Sequence, residues 1–512
     1  MKTPRLTIVL LFFAFHLAAQ NLPLLRSTPE KEGVSSEALT QFIDAANNVQ
    51  KNGIEFHSFM VVRHGKVIAE GWWNPYGPTL KHTMYSVSKS FTATAIGFCV
   101  AEKRLTVEDK VISFFPNDLP DTVSENLKAL RIRDLLTMSV GHEREYTGEV
   151  IRSDNWIKSF LAKPIKYQPG TKFLYNTAAT YILSAIVQKL TGQKVIDYLQ
   201  PRLFKPLGIN GIDWEIDPKG INTGGYGLRL KTEDMAKFGV TFLNHGKFNG
   251  KQVIPAWWVD SASTKKIDQE PDATQARRDT NDWVQGYAYQ MWRSRHSSYR
   301  GDGAFGQYIL VWPEQDAVII TTAEVGNMQA EFNVIWDNLL PAFKDKPLPE
   351  NAKALAQLKA KEAALKLPVP APGTSPLPQQ LAGKTFRFDV NDKLLKSLAF
   401  NFNNNNITVQ FVYDTAIYNI NFAAGKWALD NTTRYGPYLL TGVKNNRVGQ
   451  LPFKIAGAYS WKDEKTLELT LRYIESPHTE TIVCKFDGDS IQVDFINIAN
   501  AAQQRTIYNG KE

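Results

Sequence analysis

Cysteine is nearly missing from this sequence. The two residues present in 512, Cys99 and Cys484, fall in segments of different pattern, which excludes a disulfide framework and a cysteine-built metal centre. Histidine is also sparse. Its eight copies show no paired metal spacing and no His-Glu-x-x-His, so no metal is expected. A Gly-x-Ser-x-Gly elbow and a glycine-rich phosphate loop are both lacking, which removes the elbow-type serine hydrolases and the nucleotide-dependent enzymes, and no cofactor is expected. Lys and Arg exceed Asp and Glu by eight, but they never gather into a block of six. Nucleic-acid binding is therefore excluded, and the mild excess fits carboxylate-bearing substrates. No internal repeat is found, and no apolar run is long enough to span a bilayer.

The length calls for two or three domains. Lys2 and Arg5 precede an apolar run over 6–19, with Ala18-Ala19-Gln20 as a cleavage site. Residues 1–19 thus read as an export signal, and the lack of a following cysteine argues against a lipid anchor. An exported chain without disulfides fits a bacterial periplasm or secretion from such a cell. Residues 20–345 mix helical and extended patterns. Helices are expected at 36–47, 178–190, 232–243 (with Thr232 as N-cap) and 328–343. Strands are expected either side of a His64-Gly65 turn and at 286–292, 307–312 and 317–322. Strands at both ends with helices between predict one α+β domain whose sheet joins early and late segments. Residues 346–380 are a Pro-rich linker holding an Ala/Lys-rich helix over 351–367. Residues 381–512 change to period two, with strands at 385–390, 398–402, 407–413, 417–422, 466–473, 481–486 and 490–495. That pattern predicts a C-terminal all-β barrel or sandwich.

One stretch organises the first domain: Met84-Tyr85-Ser86-Val87-Ser88-Lys89-Ser90-Phe91. No charge follows from Ser90 to Ala101. The stripe Val87, Phe91, Thr94, Ala95, Phe98 marks a helix that is apolar nearly all round and therefore buried. Lys89 lies one turn after Ser86 at the mouth of that helix, a serine-nucleophile arrangement with a partnered lysine. Ser-x-x-Lys recurs at Ser263/Lys266, in a polar stretch with no apolar helix behind it. His82, four residues before Ser86, reads as a local hydrogen-bonding residue. Trp72, Trp73, Tyr226, Tyr287 and Trp292 are core residues by default and pocket walls as the alternative.

Tyr85-Ser-Val-Ser-Lys89-Ser-Phe, Ile132-Arg-Asp-Leu-Leu-Thr, Pro169-Gly-Thr-x-Phe-x-Tyr175 and the glycine stretch Arg300-Gly301-Asp302-Gly303-Ala304-Phe305-Gly306 occur in an order that resembles the penicillin-recognising serine hydrolases. The nearest branch is that of class C β-lactamases, D,D-peptidases, carboxylesterases and 6-aminohexanoate-dimer hydrolases. The resemblance covers roughly 30–343. It implies a β-lactamase/transpeptidase-like fold, an antiparallel sheet with helices. It also implies Ser86 as nucleophile, Lys89 as its activator, Tyr175 as general base, and backbone N–H groups of Ser86 and Ala304 as oxyanion hole. Asn176, Gly301, Asp302, Gly303 and Arg300 become candidates for contact with substrate. Two departures stand out. The family's Tyr-x-Asn is Tyr175-Asn176-Thr177 here, and the lysine of Lys-Thr-Gly is replaced by Gly301, leaving Arg300 as a substitute carboxylate clamp. The implied activity is cleavage of an ester or amide in a small-molecule or peptide-like acyl substrate. β-Lactamase or D,D-peptidase activity, and a non-catalytic penicillin-binding-like sensor, are the alternatives. Oligomeric state stays open.

Overall fold

The computed structural model describes residues 22–500 and 507–512. The export segment at 1–19 and its cleavage site lie outside the described residues. The N-terminal domain is built on a seven-stranded sheet: β1 (Leu25–Arg26), β2 (Ile54–Arg63), β3 (Lys66–Trp72), β4 (Trp292–Arg293), β5 (Tyr299–Gly303), β6 (Gln307–Trp312) and β7 (Ala317–Val325), in the order β1-β3-β2-β7-β6-β5-β4. Every pairing is antiparallel except β1 with β3. Early and late segments thus meet at the centre, where β2 pairs with β7 from Ile54↔Val325 to Arg63↔Ala317.

The strands read as almost continuously apolar because both faces are covered. Met60, Val62, Ile309, Val311, Val318 and Ile320 point to one side. Their neighbours Phe59, Val61, Leu310, Trp312, Ala317 and Ile319 point to the other. On the second face lie α1 (Ser36–Asn48) and, from late in the domain, α5 (Met328–Leu339). The first face carries α2 (Ser88–Ala101), α3 (Thr177–Thr191) and α4 (Thr232–Leu243). Helix α2 is buried from Ser88 to Cys99, as the uncharged run after Lys89 requires. A sixth helix, α6 (Ala352–Ala363), lies in the stretch read as a linker. It is docked: Leu358, Leu365 and Leu367 join the second-face core, and a Cβ on Gly71 would fall 2.4 Å from Leu365 Cδ1.

Two local expectations are corrected. The strand expected at 286–292 contracts to β4, because Gly286 (φ +111°) and Gln290 (φ +59°) break the extended backbone. Lys231, not Thr232, is the N-cap of α4. The Thr232 hydroxyl is taken up by Ser58 Oγ at 2.8 Å and the Trp72 indole N–H at 3.1 Å. Residues 299–303, the start of the glycine stretch, form β5.

The C-terminal domain contains β8 (Thr385–Phe388), β9 (Leu395–Asn403), β10 (Asn406–Tyr413), β11 (Ile417–Ala424), β12 (Ala428–Thr432), β13 (Phe453–Trp461), β14 (Thr466–Tyr473), β15 (Thr479–Asp487), β16 (Ser490–Ile496) and β17 (Ile507–Lys511). Their order is β11-β10-β9-β8-β17-β16-β15-β14-β13-β12, and a parallel pairing of β11 with β13 closes nine of them into a barrel, leaving β12 outside. Between barrel and sandwich the structure thus chooses the barrel. Closure needs Gly457, where a Cβ would sit 2.2 Å from the Asn421 carbonyl oxygen. Alternate residues such as Phe400, Val409, Phe411 and Leu469 fill its interior. Among the described residues no helix is long and apolar enough to cross a membrane.

The two domains share an ion pair in which the arginine is buried and the carboxylate partly so. Arg472 of β14 binds both carboxylate oxygens of Glu55 of β2, with NH2 to Oε2 at 3.0 Å. Burial alone would raise the Glu55 carboxyl, but Arg472 and the bonded His57 together outweigh it and hold the group down to about 2. Breaking such a pair leaves an uncompensated charge. Arg472→Ala is expected to lower the unfolding free energy by about 3–5 kcal/mol, read from urea titration. A loss under about 1 kcal/mol would mean that water already solvates Glu55.

Candidate active site

Between residues 82 and 99 only Ser86 is not buried. Its turn is gripped from two sides. The Met84 N–H donates to Leu228 O at 2.9 Å, and the Leu228 N–H donates to Ser88 Oγ at 3.2 Å. Across the turn, a Cβ on Gly303 would stand 2.3 Å from Met84 O, so β5 can approach only as glycine. Tyr85 takes a left-handed backbone (φ +43°), a local strain of roughly 1–3 kcal/mol for a side chain of this size. That kink turns Ser86 outward ahead of α2.

Lys89 reaches the serine from within the helix. Its Nζ lies 2.7 Å from Gly225 O, 3.1 Å from Thr177 Oγ1 and 3.3 Å from Ser86 Oγ. It also lies 5.0 Å from the centre of the Tyr175 ring. Burial draws the amine down to about 7, against the opposing pull of the Glu145 and Asp302 carboxylates. Burial pushes the Tyr175 phenol well up, a shift moderated by its hydrogen bond with Ser86. Trp292 stacks on Tyr175 at 5.5 Å, and Tyr287 meets it edge-on at 6.4 Å. The structure therefore brings Ser86, Lys89 and Tyr175 into one cluster. Thr177 and the Gly225 carbonyl join it. The glycines at 224–225 and the threonine at the family's asparagine position were visible in the sequence, but their contact with Lys89 was not.

The glycine stretch lies alongside. Gly301 faces Ser90 and Val87 of the Ser86 segment, and Gly303 faces Met84. The pairing of β5 with β4 stops at Arg300, so beyond it β5 is paired only with β6. Ala304 follows as the next residue, partly exposed like Ser86. Two candidates are corrected. Arg300 is no carboxylate clamp: strand alternation turns it to the opposite face, where it is fully buried and bonded to Asp302 Oδ2 at 2.8 Å and Asp282 O at 3.0 Å. Its guanidinium carbon is 4.6 Å from the centre of the Trp283 ring. Asn176 is not a substrate contact either. It caps α3, accepting the Ala179 N–H at 3.1 Å, and its amide nitrogen is 2.9 Å from His142 Nδ1. Asp302 is 8% exposed, with its carboxylate held by Arg300 and the Trp283 indole. His82 turns away from Ser86 towards His57, at 3.1 Å. In the second Ser-x-x-Lys, Ser263 bonds Val259 O and Lys266 is exposed.

The barrel also reaches the site. Residues 433–452, between β12 and β13, cross the N-terminal domain. The Tyr438 hydroxyl donates to Glu215 Oε1 at 2.7 Å, and the Lys444 N–H donates to Ile151 O at 2.9 Å. Tyr438 packs 5.5 Å from Tyr85. His478, from the turn before β15, bonds the Tyr85 hydroxyl. Nothing local in the sequence marks Tyr438 or His478. Nearby, Glu55, His57 and Glu324 place ligand-type atoms within 4.8 Å of one another. Arg472 already occupies both Glu55 oxygens and His82 occupies His57 Nδ1, so this donor set does not fit a resident cation.

Residues 43–339, more than half of the chain, match the family model described as Beta-lactamase. The chain belongs to the β-lactamase family, whose fold its N-terminal domain has. A 6-aminohexanoate-dimer hydrolase of Paenarthrobacter ureafaciens is 24% identical over 315 residues, 57% of this chain and 79% of that protein. A protein of Escherichia coli (strain K12) that bears the name "Putative D-alanyl-D-alanine carboxypeptidase" is 24% identical over 237 residues, 41% of this chain and 55% of that protein. The chain thus spans about half the length of the second relative. Among solved structures, a D-stereospecific amidohydrolase of Streptomyces is 13% identical, with a TM-score of 0.48, over 59% of this chain and 98% of that one.

The packing around Lys89 makes one position critical. A Cβ on Gly225 would stand 3.1 Å from Lys89 Nζ and 2.8 Å from Thr177 Cγ2. Gly225→Ala is expected to displace the amine and to slow reaction at Ser86 by about 10²-fold, the usual cost of misplacing a reacting group by an ångström. The rate of covalent labelling by a fluorophosphonate measures it. An unchanged rate would show that the Gly225 contact does not position Lys89.

Proposed function

We propose that the protein is an exported serine hydrolase that cleaves ester or amide bonds through an acyl-enzyme on Ser86. The observation that carries this reading is the buried Lys89 amine, brought down to about 7 and 3.3 Å from the one outward-facing hydroxyl of its segment. A neutral amine has two hydrogens and one lone pair. The hydrogens serve Gly225 O and Thr177 Oγ1, and the lone pair accepts the Ser86 proton as Oγ attacks the acyl carbonyl. Tyr175, whose phenol is pushed up, stays protonated. It therefore acts less as the base than as a relay, hydrogen-bonded to Ser86 and handing a proton to the leaving alkoxide or amine while Lys89 resupplies it. The Ser86 and Ala304 N–H groups receive the developing oxyanion, each contributing roughly 3–4 kcal/mol to lowering the barrier. Water then enters along the same proton path and frees the acid.

The substrate side supports ester or amide cleavage over β-lactam hydrolysis. Gly301 stands where the family's lysine would face a substrate carboxylate, and Arg300 is buried on the far side of the strand. The hydrolase name of the Paenarthrobacter relative agrees with this reading. Export rests on the pattern of residues 1–19. The cluster of Ser86, Lys89 and Tyr175 weighs against a non-catalytic sensor.

The test is labelling with a fluorophosphonate and peptide mapping: the adduct is expected on Ser86 and lost in Ser86→Ala. No adduct, and no turnover of short acyl esters, would end the reading. Nitrocefin turned over faster than esters would reverse the preference.

Lys89 also sets a pH dependence. Acylation needs the neutral amine, so kcat/KM is expected to rise about tenfold per pH unit below about 7 and to level off above it. A flat or falling profile over that window would remove Lys89 as base. The sign for stability is linked. The folded state depresses the lysine from its ordinary 10.5, so it gains stability as pH rises from about 7 towards 10.5, and below 7 it carries the full cost of a desolvated ammonium. Lys89→Met is therefore expected to be inactive yet more stable than the wild type at pH 6, by about 2–5 kcal/mol. Equal or lower stability in thermal unfolding would mean that Gly225 O and Thr177 already compensate the buried charge.

A further inference from the structure

Two non-glycine residues with left-handed backbone flank the proposed oxyanion donors. Tyr85 (φ +43°) immediately precedes Ser86, and Phe305 (φ +66°) immediately follows Ala304. Both rings rest on one imidazole that comes from the barrel. His478 is 1% exposed. Its ring lies edge-on at 4.9 Å from Phe305 and 5.7 Å from Tyr85, and those two rings are 5.6 Å apart. The hydrogen bonds fix the direction of this contact. The Leu439 N–H donates to the Tyr85 oxygen at 3.3 Å, so the phenol hydrogen goes to His478 Nε2, its other partner. Nε2 is then the acceptor nitrogen, and the imidazole proton sits on Nδ1, which faces Glu324 Oε1 at 3.7 Å. Glu324 is itself held, accepting the Thr479 N–H at 3.2 Å. On the other arm, Phe305 O accepts the Val325 N–H at 3.2 Å. An imidazole from the barrel, with a β7 carboxylate close by but beyond hydrogen-bond reach, thus bonds a tyrosine next to Ser86 and packs on a phenylalanine next to the second donor.

We infer that His478 is a positioning residue for the oxyanion hole, holding Ser86 and Ala304 at their working separation, so that the barrel is a cis-acting part of the active site. This rests on the serine-hydrolase reading of Ser86. His478 touches neither donor directly. It acts through Tyr85 and Phe305, whose backbones would otherwise relax from the left-handed region. The same bond makes catalysis depend on the barrel being seated on the N-terminal domain.

The experiment compares His478→Leu, His478→Gln, Tyr85→Phe and the double variant His478→Leu/Tyr85→Phe in the full chain. The readouts are fluorophosphonate labelling rate, and kcat and KM for a short acyl ester. His478→Leu fills the space without an acceptor, and is expected to label and turn over about 10²-fold more slowly, with KM changed by no more than about twofold. His478→Gln, whose amide oxygen can take the place of Nε2, is expected to recover most of the rate. Tyr85→Phe is expected to reproduce the loss, and the double variant to add nothing, because both remove one interaction. A folded His478→Leu that labels at the wild-type rate overturns the inference, as does a loss confined to KM or losses that multiply in the double variant. If His478→Leu does not fold, Tyr85→Phe decides alone, and an unchanged kcat overturns the inference. A wild-type chain with no adduct on Ser86 overturns the serine-hydrolase reading and this inference together. An adduct formed equally fast in His478→Leu overturns the inference only.

Discussion

An amine held where water cannot solvate it is the constraint on which this structure depends. Lys89 lies on a helix with no other charge, and a desolvated ammonium there is costly unless it is partnered or loses its proton. Both happen. Gly225 O and Thr177 Oγ1 take its hydrogens, and burial draws it to about 7. The loop at 224–225, the start of α3 and the approach of Tyr175 all follow from serving that one nitrogen. The burial that costs the fold stability is the same burial that lowers the amine.

Close backbone approach is the second organising feature. Gly301 and Gly303 bring β5 against the Ser86 turn with no side chain between. Two consequences come together. The strand leaves an edge unpaired beyond Arg300, and alternation sends Arg300 and Asp302 to the face away from α2. Glycine at 301 projects no cation from that position, and the adjacent arginine supplies none, because it is committed to Asp302, Asp282 O and a cage of aromatic rings.

The barrel is joined to the N-terminal domain by more than a tether. Helix α6 and its flanking leucines complete the core under the sheet, Arg472 meets Glu55 across the interface, and residues 433–452 lie along the loop that carries Gly225. These contacts place Tyr438 and His478 against Tyr85. Such an arrangement gives the second domain a reason to be rigidly seated, since its imidazole packs on residues next to both proposed oxyanion donors.

Much of this was legible in the amino-acid order. Patterns that depend on neighbours within one element can be read locally: the uncharged run behind Ser86, the spacing to Lys89, the period-two strands after residue 381 and the order of the motifs through Tyr175 determined the family and the α+β class. The choice of a closed barrel, the burial of Arg300 and the capping role of Asn176 were decided only by the tertiary structure. So were the partnership of Lys89 with Gly225 O and the reach of His478 to Tyr85, 393 residues away in sequence. Burial, strand-edge pairing and the face a side chain takes are set by what packs against it from distant parts of the chain, and no local pattern carries that information.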